Sequence, residues 1–199
     1  DHTEIMLKEF GCNITLESDS INVIPSKLTS PNTIDIPGDI SSAAFFIVGS
    51  IISEDSQVKI ENVGLNPLRT GFIDILKMMG ASIEISDLKT VNGEVVGNID
   101  VESSSLEGIT IPKELIASSI DELPLIILAA SQADGKTSLR NAEELRFKES
   151  DRILSMAKMM ERFNISIDEF NDGMDIYGGV IEGNTINSYG DHRIAMTAL

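Results

Sequence analysis

Apolar positions along the chain follow two periods. Val58–Asn62 (VKIEN), Ala81–Ile85 (ASIEI), Thr137–Asn141 (TSLRN) and Asn164–Asp168 (NISID) alternate apolar and polar residues, as strands with one wet face do. Phe72–Gly80 (FIDILKMMG) and Arg152–Met160 (RILSMAKMM) instead carry apolar residues at helical spacing, and each contains a Met pair near its end. Strand, loop, amphipathic helix and strand therefore occur twice, about eighty residues apart, which is the mark of an internal repeat. The opening Glu4–Gly11 (EIMLKEFG) and Asn13–Leu16 (NITL) have the helix-to-strand shape of the end of a further unit.

A second kind of helix heads each unit. Ser41–Ile52 (SSAAFFIVGSII), Leu123–Ala133 (LPLIILAASQA) and His192–Leu199 (HRIAMTAL) are preceded by Asp39, Asp121 and Asp191. An aspartate in that position reads as an N-cap, accepting from backbone N–H groups that have no partner inside the helix. The first two runs are apolar nearly all the way round, so they are expected to be buried on every side, Phe45, Phe46, Ile126 and Ile127 included. Met78, Met79, Met159 and Met160 read as core filling. Buried helices beside half-wet strands imply an inside-out α/β arrangement, a βαβαββ unit repeated about an axis with its sheets outside. The last apolar run stops at Leu199 with neither a cap nor a following strand, so the sequence reads as a fragment.

Composition narrows the class. At 199 residues the chain has room for one substantial core, or one domain and part of a second. It has no Trp and only 5% aromatic residues, so Ile, Leu, Val, Met and Ala must build that core. Cys12 is the single cysteine; it excludes an internal disulfide, fits the reducing cytoplasm, and reads as a small apolar residue rather than a nucleophile. No apolar run approaches the ~20 residues needed to cross a bilayer. A formal charge of −17 argues against nucleic acid or an anionic membrane as partner. Against that balance, Arg140, Arg146, Lys148 and Arg152 place four of the fifteen Lys and Arg residues within thirteen positions. The plainest reading is a solvated helix face balanced by Glu143, Glu144, Glu149 and Asp151; the sharper one is an anion site.

Several motifs sharpen it. Glu144–Ile153 (ELRFKESDRI), Ser188–Met196 (SYGDHRIAM) and Pro37–Ala44 (PGDISSAA), with Asn66–Gly71 (NPLRTG), Ile120–Pro124 (IDELP) and Asp1–Glu4 (DHTE), resemble the 5-enolpyruvylshikimate-3-phosphate synthase family in order and spacing along the whole chain. That resemblance implies two domains, each of three βαβαββ units, in the inside-out α/β prism of the enolpyruvyl transferases, truncated here. Residues 1–26 would be a remnant of the N-terminal domain and its crossover, and residues 27–199 most of the C-terminal domain. It also implies that the enolpyruvyl group of phosphoenolpyruvate moves to the 5-hydroxyl of shikimate 3-phosphate through a tetrahedral intermediate, releasing phosphate, with no metal or organic cofactor.

Both of those substrates are anions, which explains a need for Lys and for the bidentate fork of Arg. The methylene carbon of the donor needs a proton and the attacking hydroxyl needs a base, tasks that carboxyl groups in different environments can divide. By resemblance, Asp121 is the base beside the 5-hydroxyl, Lys148 touches the shikimate moiety, and Glu149 transfers the proton at phosphoenolpyruvate. Arg152 and Arg193 would hold the donor's carboxylate and phosphate; Glu144 is a weaker match for a further polar contact, and His2 stands where the other domain would approach. Lys148 and Arg152, four apart, would share a helical face. Lys148, Arg152 and Arg193 are expected to converge on one concave patch, lined also by Glu149 and Asp191. Asp39 reads as a cap, Asp191 and His192 as positioning residues, and Arg69 as part of a structured turn without assigned chemistry. Phe147 replaces the aliphatic residue common in its motif. The family's remaining cations lie outside these residues, so the chain by itself is expected to be inactive. The sister transferase acting on UDP-N-acetylglucosamine shares fold and donor, but the KESDR and DHRIAM pair argues against it. A non-catalytic anion-binding repeat scaffold would give no reason for Lys148, Glu149, Arg152 and Arg193 to fall in these motifs.

Overall fold

A helix whose residues are almost all apolar can bury itself only if strands and other helices surround it, and two such helices organise this chain. The computed structural model describes residues 1–31 and 33–199. Helix α1 spans His2–Glu9 and leads to a small hairpin of β1 (Asn13–Leu16) and β2 (Ile21–Ile24). The first unit follows: α2 (Ile40–Ile52), β3 (Gln57–Gly64), α3 (Gly71–Met78), β4 (Ser82–Val91) and β5 (Glu94–Glu102). The second has α4 (Leu123–Ser131), β6 (Lys136–Leu139), α5 (Arg152–Arg162), β7 (Ile167–Phe170) and β8 (Gly173–Tyr177), and α6 (His192–Thr197) ends the chain.

The two units have the same topology. Each sheet is antiparallel with its last strand in the middle, β3-β5-β4 and β6-β8-β7. The leading strand of each expected βαβαββ unit is reduced to isolated parallel bridges, Gly38 beside Val63 in the first, Glu107 beside Asp134 and Thr110 beside Ser138 in the second. The hairpin joining β4 to β5 turns on Asn92 and Gly93, both at positive φ, the backbone a two-residue turn of this hand requires. The core lies between the sheets: Ala44, Ile47 and Ile51 of α2, Phe72, Ile75 and Leu76 of α3, Leu123, Ile126 and Ile127 of α4, and Ile153, Met156 and Met160 of α5 are all fully covered. Helices inside and sheets outside is the arrangement the sequence predicts.

Three expectations need correction. Phe46 is 66% exposed although Phe45 packs against the core. One face of α2 looks away from α4 and β3, and α6, only six residues long, packs on α4 and α5 instead. Met78 is also half exposed, while Met79, Met159 and Met160 are buried. Adjacent helical positions point about 100° apart, so a Met pair is buried on both members only where the helix is covered on two sides, as α5 is by its sheet and α4. Cys12 is half-buried rather than in the core. In the β1–β2 hairpin only Ile14 is buried, in contrast to the continuous core of the two units.

Candidate active site

The site is built where the starts of α2, α4 and α6 meet the bend before α5. Asp39 caps α2, its Oδ2 accepting from the Ser42 backbone N–H at 2.9 Å. Asp191 caps α6, its Oδ1 accepting from the Arg193 N–H at 2.9 Å. Asp151 caps α5, its Oδ1 accepting from the Leu154 N–H at 2.9 Å. Asp121 is not a cap. Helix α4 begins at Leu123, with Pro124 in its first turn and Glu122 before it, which leaves Asp121 one residue too far upstream. Its carboxylate is therefore free to turn to the cations.

Three cations from distant segments converge on it. Lys148 Nζ lies 3.7 Å from Asp121 Oδ1, Arg152 Nη1 donates to the same oxygen at 3.3 Å, and Arg193 Nη2 stands 3.8 Å from Oδ2. Lys148 does not share a helical face with Arg152. Residues 143–147 form a 3-10 helix, Lys148 takes an extended backbone (ψ −159°), and α5 starts only at Arg152, because Asp151 caps it there. The bend rather than a helical repeat brings the two together. Lys148 also pairs with Glu144 at 2.9 Å.

The two arginines differ in what they have left to offer. Arg152 is buried, its side chain 1% exposed. Its Nε donates to Asp191 Oδ2 at 2.9 Å, Nη2 reaches Asp191 Oδ1 at 3.4 Å and the Glu149 carboxylate, and Nη1 serves Asp121. A buried guanidinium needs such compensation, because an unpaired buried charge is very costly. Asp191 is buried as completely; burial pushes its carboxyl up, but Arg152, the Arg193 N–H and Ser150 outweigh that and hold it below the ordinary value. Among the described residues the Arg193 guanidinium donates only through Nη1, to the Asp121 carbonyl oxygen at 3.0 Å and to Glu122 Oε1 at 3.4 Å, so its Nη2 edge faces Asp121 without a hydrogen bond. The carboxylates of Asp121 (41% exposed) and Glu149 (55% exposed) remain reachable from solvent.

The other members of the cation-rich stretch serve the scaffold. Arg140 pairs with Asp175 and stacks on Phe170, and Arg146 bridges Asp151, Glu169 and the carbonyls of Phe170 and Asn171. Arg146 thereby fastens the Lys148–Asp151 bend to the β7–β8 turn. Phe147 is exposed and touches none of this charge. His2 pairs with Glu94 beside the β4–β5 turn.

Sequence reasoning passed over Glu122 here and gave Arg69 no chemistry. Glu122, 2% exposed, joins Arg193, and Arg69 donates to the buried Ser41 hydroxyl and pairs with Asp39 at 3.2 Å. Their signal was faint: an acid directly before an all-apolar helix, and an arginine in a turn that ends in glycine. Gly71 shows why that turn matters, because a Cβ there would overlap the Ser118 and Ser119 hydroxyls of the 3-10 turn leading to Asp121.

The backbone superposes on the enolpyruvyl transferase NikO from Streptomyces tendae with a TM-score of 0.64 at 14% identity, over 96% of this chain and 44% of that one. At that identity the likeness establishes the shared fold, an inside-out α/β arrangement, and no more. EPSP synthase from Acinetobacter baumannii is far nearer, with a TM-score of 0.95 and 42% identity over 99% of this chain and 46% of that one. The family model for EPSP synthase (3-phosphoshikimate 1-carboxyvinyltransferase) matches residues 1–199, and the chain belongs to that family. Curated relatives named 3-phosphoshikimate 1-carboxyvinyltransferase include those of Petrotoga mobilis, 49% identical over 99% of this chain, and Caldicellulosiruptor saccharolyticus, 50% identical over all of it. The chain spans 46–47% of the length of these two relatives.

Proposed function

We propose that the protein moves the enolpyruvyl group of phosphoenolpyruvate to the 5-hydroxyl of shikimate 3-phosphate, releasing phosphate. The observation that carries this reading is the approach of Lys148, Arg152 and Arg193, from segments up to 45 residues apart, to the one carboxylate of Asp121. Family membership supports it, and so does the exposure of the two carboxylates beside an otherwise buried cation.

Each role follows from that placement. Asp121 accepts the proton of the attacking hydroxyl, its carboxylate held in place by the three cations around it. Lys148 steadies the shikimate moiety. Glu149 delivers a proton to the methylene carbon of phosphoenolpyruvate, so that C2 becomes electrophilic as the new C–O bond forms. Collapse of the tetrahedral intermediate breaks the C–O bond to phosphate, returns a proton from the methyl carbon to Glu149, and lets the departing phosphate take the proton that Asp121 accepted. Arg193 grips the donor anion with its Nη2 edge; Arg152 turns toward it once Asp121 or Glu149 yields, and Asp191 holds its other edge in place.

We assign residues 1–26 to the end of an N-terminal domain and its crossover, and residues 27–199 to the C-terminal domain, working in the cytoplasm. The thin packing of the β1–β2 hairpin supports that boundary. Among the described residues no helix is long and apolar enough to cross a membrane. The 199-residue chain alone should give no measurable transfer, because a doubly charged donor needs cations on both sides.

Kinetics of the full-length enzyme test the roles. Asp121→Ala and Glu149→Ala should each lower turnover by orders of magnitude, on the scale of general acid–base catalysis at ~10²–10⁴-fold, with the fold intact by circular dichroism. Turnover within about tenfold of wild type in both variants would remove the assignments.

A further inference from the structure

Glu122 is a carboxylate in a place that ordinarily rejects one. Its side chain is 3% exposed, it precedes the apolar α4, and it makes no cap hydrogen bond to that helix. It faces Arg193 Nη1 of α6 at 3.4 Å instead. Behind it lies the start of α2, where the buried Ser41 hydroxyl accepts from Arg69. Burial pushes the Glu122 carboxyl above its ordinary value, and Asp121 adds to that push; the Ser41 hydroxyl, Arg193 and Arg69 oppose it. A glutamine would fill the same space without that penalty, so packing alone gives no reason for the charge here.

We propose that Glu122 is a positioning residue for Arg193: it pins the Nη1 edge of the guanidinium so that the Nη2 edge stays turned to the substrate side and does not collapse onto Asp121. The present geometry supports this. Arg193 Nη2 and Asp121 Oδ2 stand 3.8 Å apart, near enough to attract and too far for a hydrogen bond. Without the pin, the guanidinium would swing to close a bidentate pair with Asp121, the arrangement Arg and carboxylate prefer. That pair would occupy at once the cation meant for the donor anion and the proposed base. Arg69 and Ser41 extend the support to the first unit, so a turn with no substrate contact of its own steadies the anion grip.

The inference rests on the proposed transferase reading, and its tests separate the two. In the full-length enzyme, Glu122→Gln should raise KM for phosphoenolpyruvate about tenfold, one arginine contact's worth at ~1.4 kcal/mol per factor of ten, and leave KM for shikimate 3-phosphate within twofold. The urea midpoint at pH 7 should hold or rise, because a buried ionised carboxylate has been removed. Arg69→Met should shift the same KM in the same direction by less. A phosphoenolpyruvate KM within twofold of wild type in Glu122→Gln overturns the proposal. So does a lower kcat with both KM values raised alike and a lower urea midpoint, which marks a purely structural role. Should the wild-type enzyme transfer no enolpyruvyl group, the functional reading has failed. Arginine side-chain NMR then decides on the pin alone: Arg193 Nε–Hε order that drops in Glu122→Gln supports it, and unchanged order overturns it.

Discussion

The two units share one topology and put the start of their amphipathic helix to opposite uses. In the first, α3 begins at Thr70 and Gly71 with no side-chain cap, and that start is covered by the 3-10 turn of residues 117–119, which packs on Gly71. In the second, α5 begins at Asp151 and Arg152 with a side-chain cap, and the buried guanidinium reaches Asp191 and Asp121. The same scaffold position thus takes a glycine that lets a neighbour come close in one unit and a buried cation in the other. The comparison teaches that the repeat supplies the frame, while chemistry enters where one copy exchanges packing for paired charge. The two are joined, because the turn packed on the start of α3 ends two residues before Asp121, which meets the cation at the start of α5.

That contrast can be broken at three points. The largest effect is expected from Arg152→Ala, which leaves the fully buried Asp191 without its main partner and should lower stability by about 3–5 kcal/mol. Urea denaturation measures it, and Thr70→Ala at the start of α3, where no cap bond exists, should change stability by less than about 0.5 kcal/mol. Equal losses at the two positions would erase the distinction. Gly71→Ala comes next. Its added methyl would overlap Ser118 and Ser119 and should cost about 1–3 kcal/mol, with reduced turnover because the same turn carries Asp121.

The smallest effect concerns the cap of α2. Asp39→Ala should cost about 1 kcal/mol at pH 7. Burial pushes the Asp39 carboxyl up, but the Ser42 bonds and Arg69 prevail and hold it below its ordinary value of 3.8. A depressed carboxyl stabilises the fold above that ordinary value and loses its contribution as pH falls through the folded one. The difference between Asp39→Ala and wild type should therefore shrink as pH is lowered below about 4. Asp191 has the same sign, held down by Arg152 and the Arg193 N–H, so both caps weaken in acid. Glu122 has the opposite sign: its raised carboxyl makes ionisation unfavourable to the fold as pH rises above the ordinary 4.5. A pH-independent effect of Asp39→Ala would show that its cap acts through shape rather than charge.

Periodicity made most of the frame legible. Alternation identified β3, β6 and the openings of β4, and the all-apolar runs identified α2 and α4 as buried, because those patterns are set by which face meets water. The pattern along the chain did not locate strands β5 and β8, although Asn92–Gly93 is a direct hairpin signal. Phe46 and Met78 were misread because a residue's burial depends on what packs on its side of the helix, and neighbours at that distance in sequence leave no local trace. In the site, motifs pointed to Asp121, Lys148, Glu149, Arg152 and Arg193, and the structure brings these five together.

What the sequence by itself determined was the kind of group present and the frame that carries it: a repeated α/β unit, caps at helix starts, and a set of cations and carboxylates in an acidic chain. Their division of labour was decided only by the tertiary structure. Arg152 and Arg193 look alike in the sequence, yet one is buried against three carboxylates while the other keeps an edge open. Asp121 and Asp191 both precede apolar helices, yet only Asp191 caps one, because Pro124 and Glu122 set the start of α4 a residue later. Glu122 itself was invisible as a functional residue. The reason is common to all three: the charge state, reach and freedom of an ionisable group depend on its burial and on partners up to 72 residues away, and neither is encoded in the neighbouring positions of the chain.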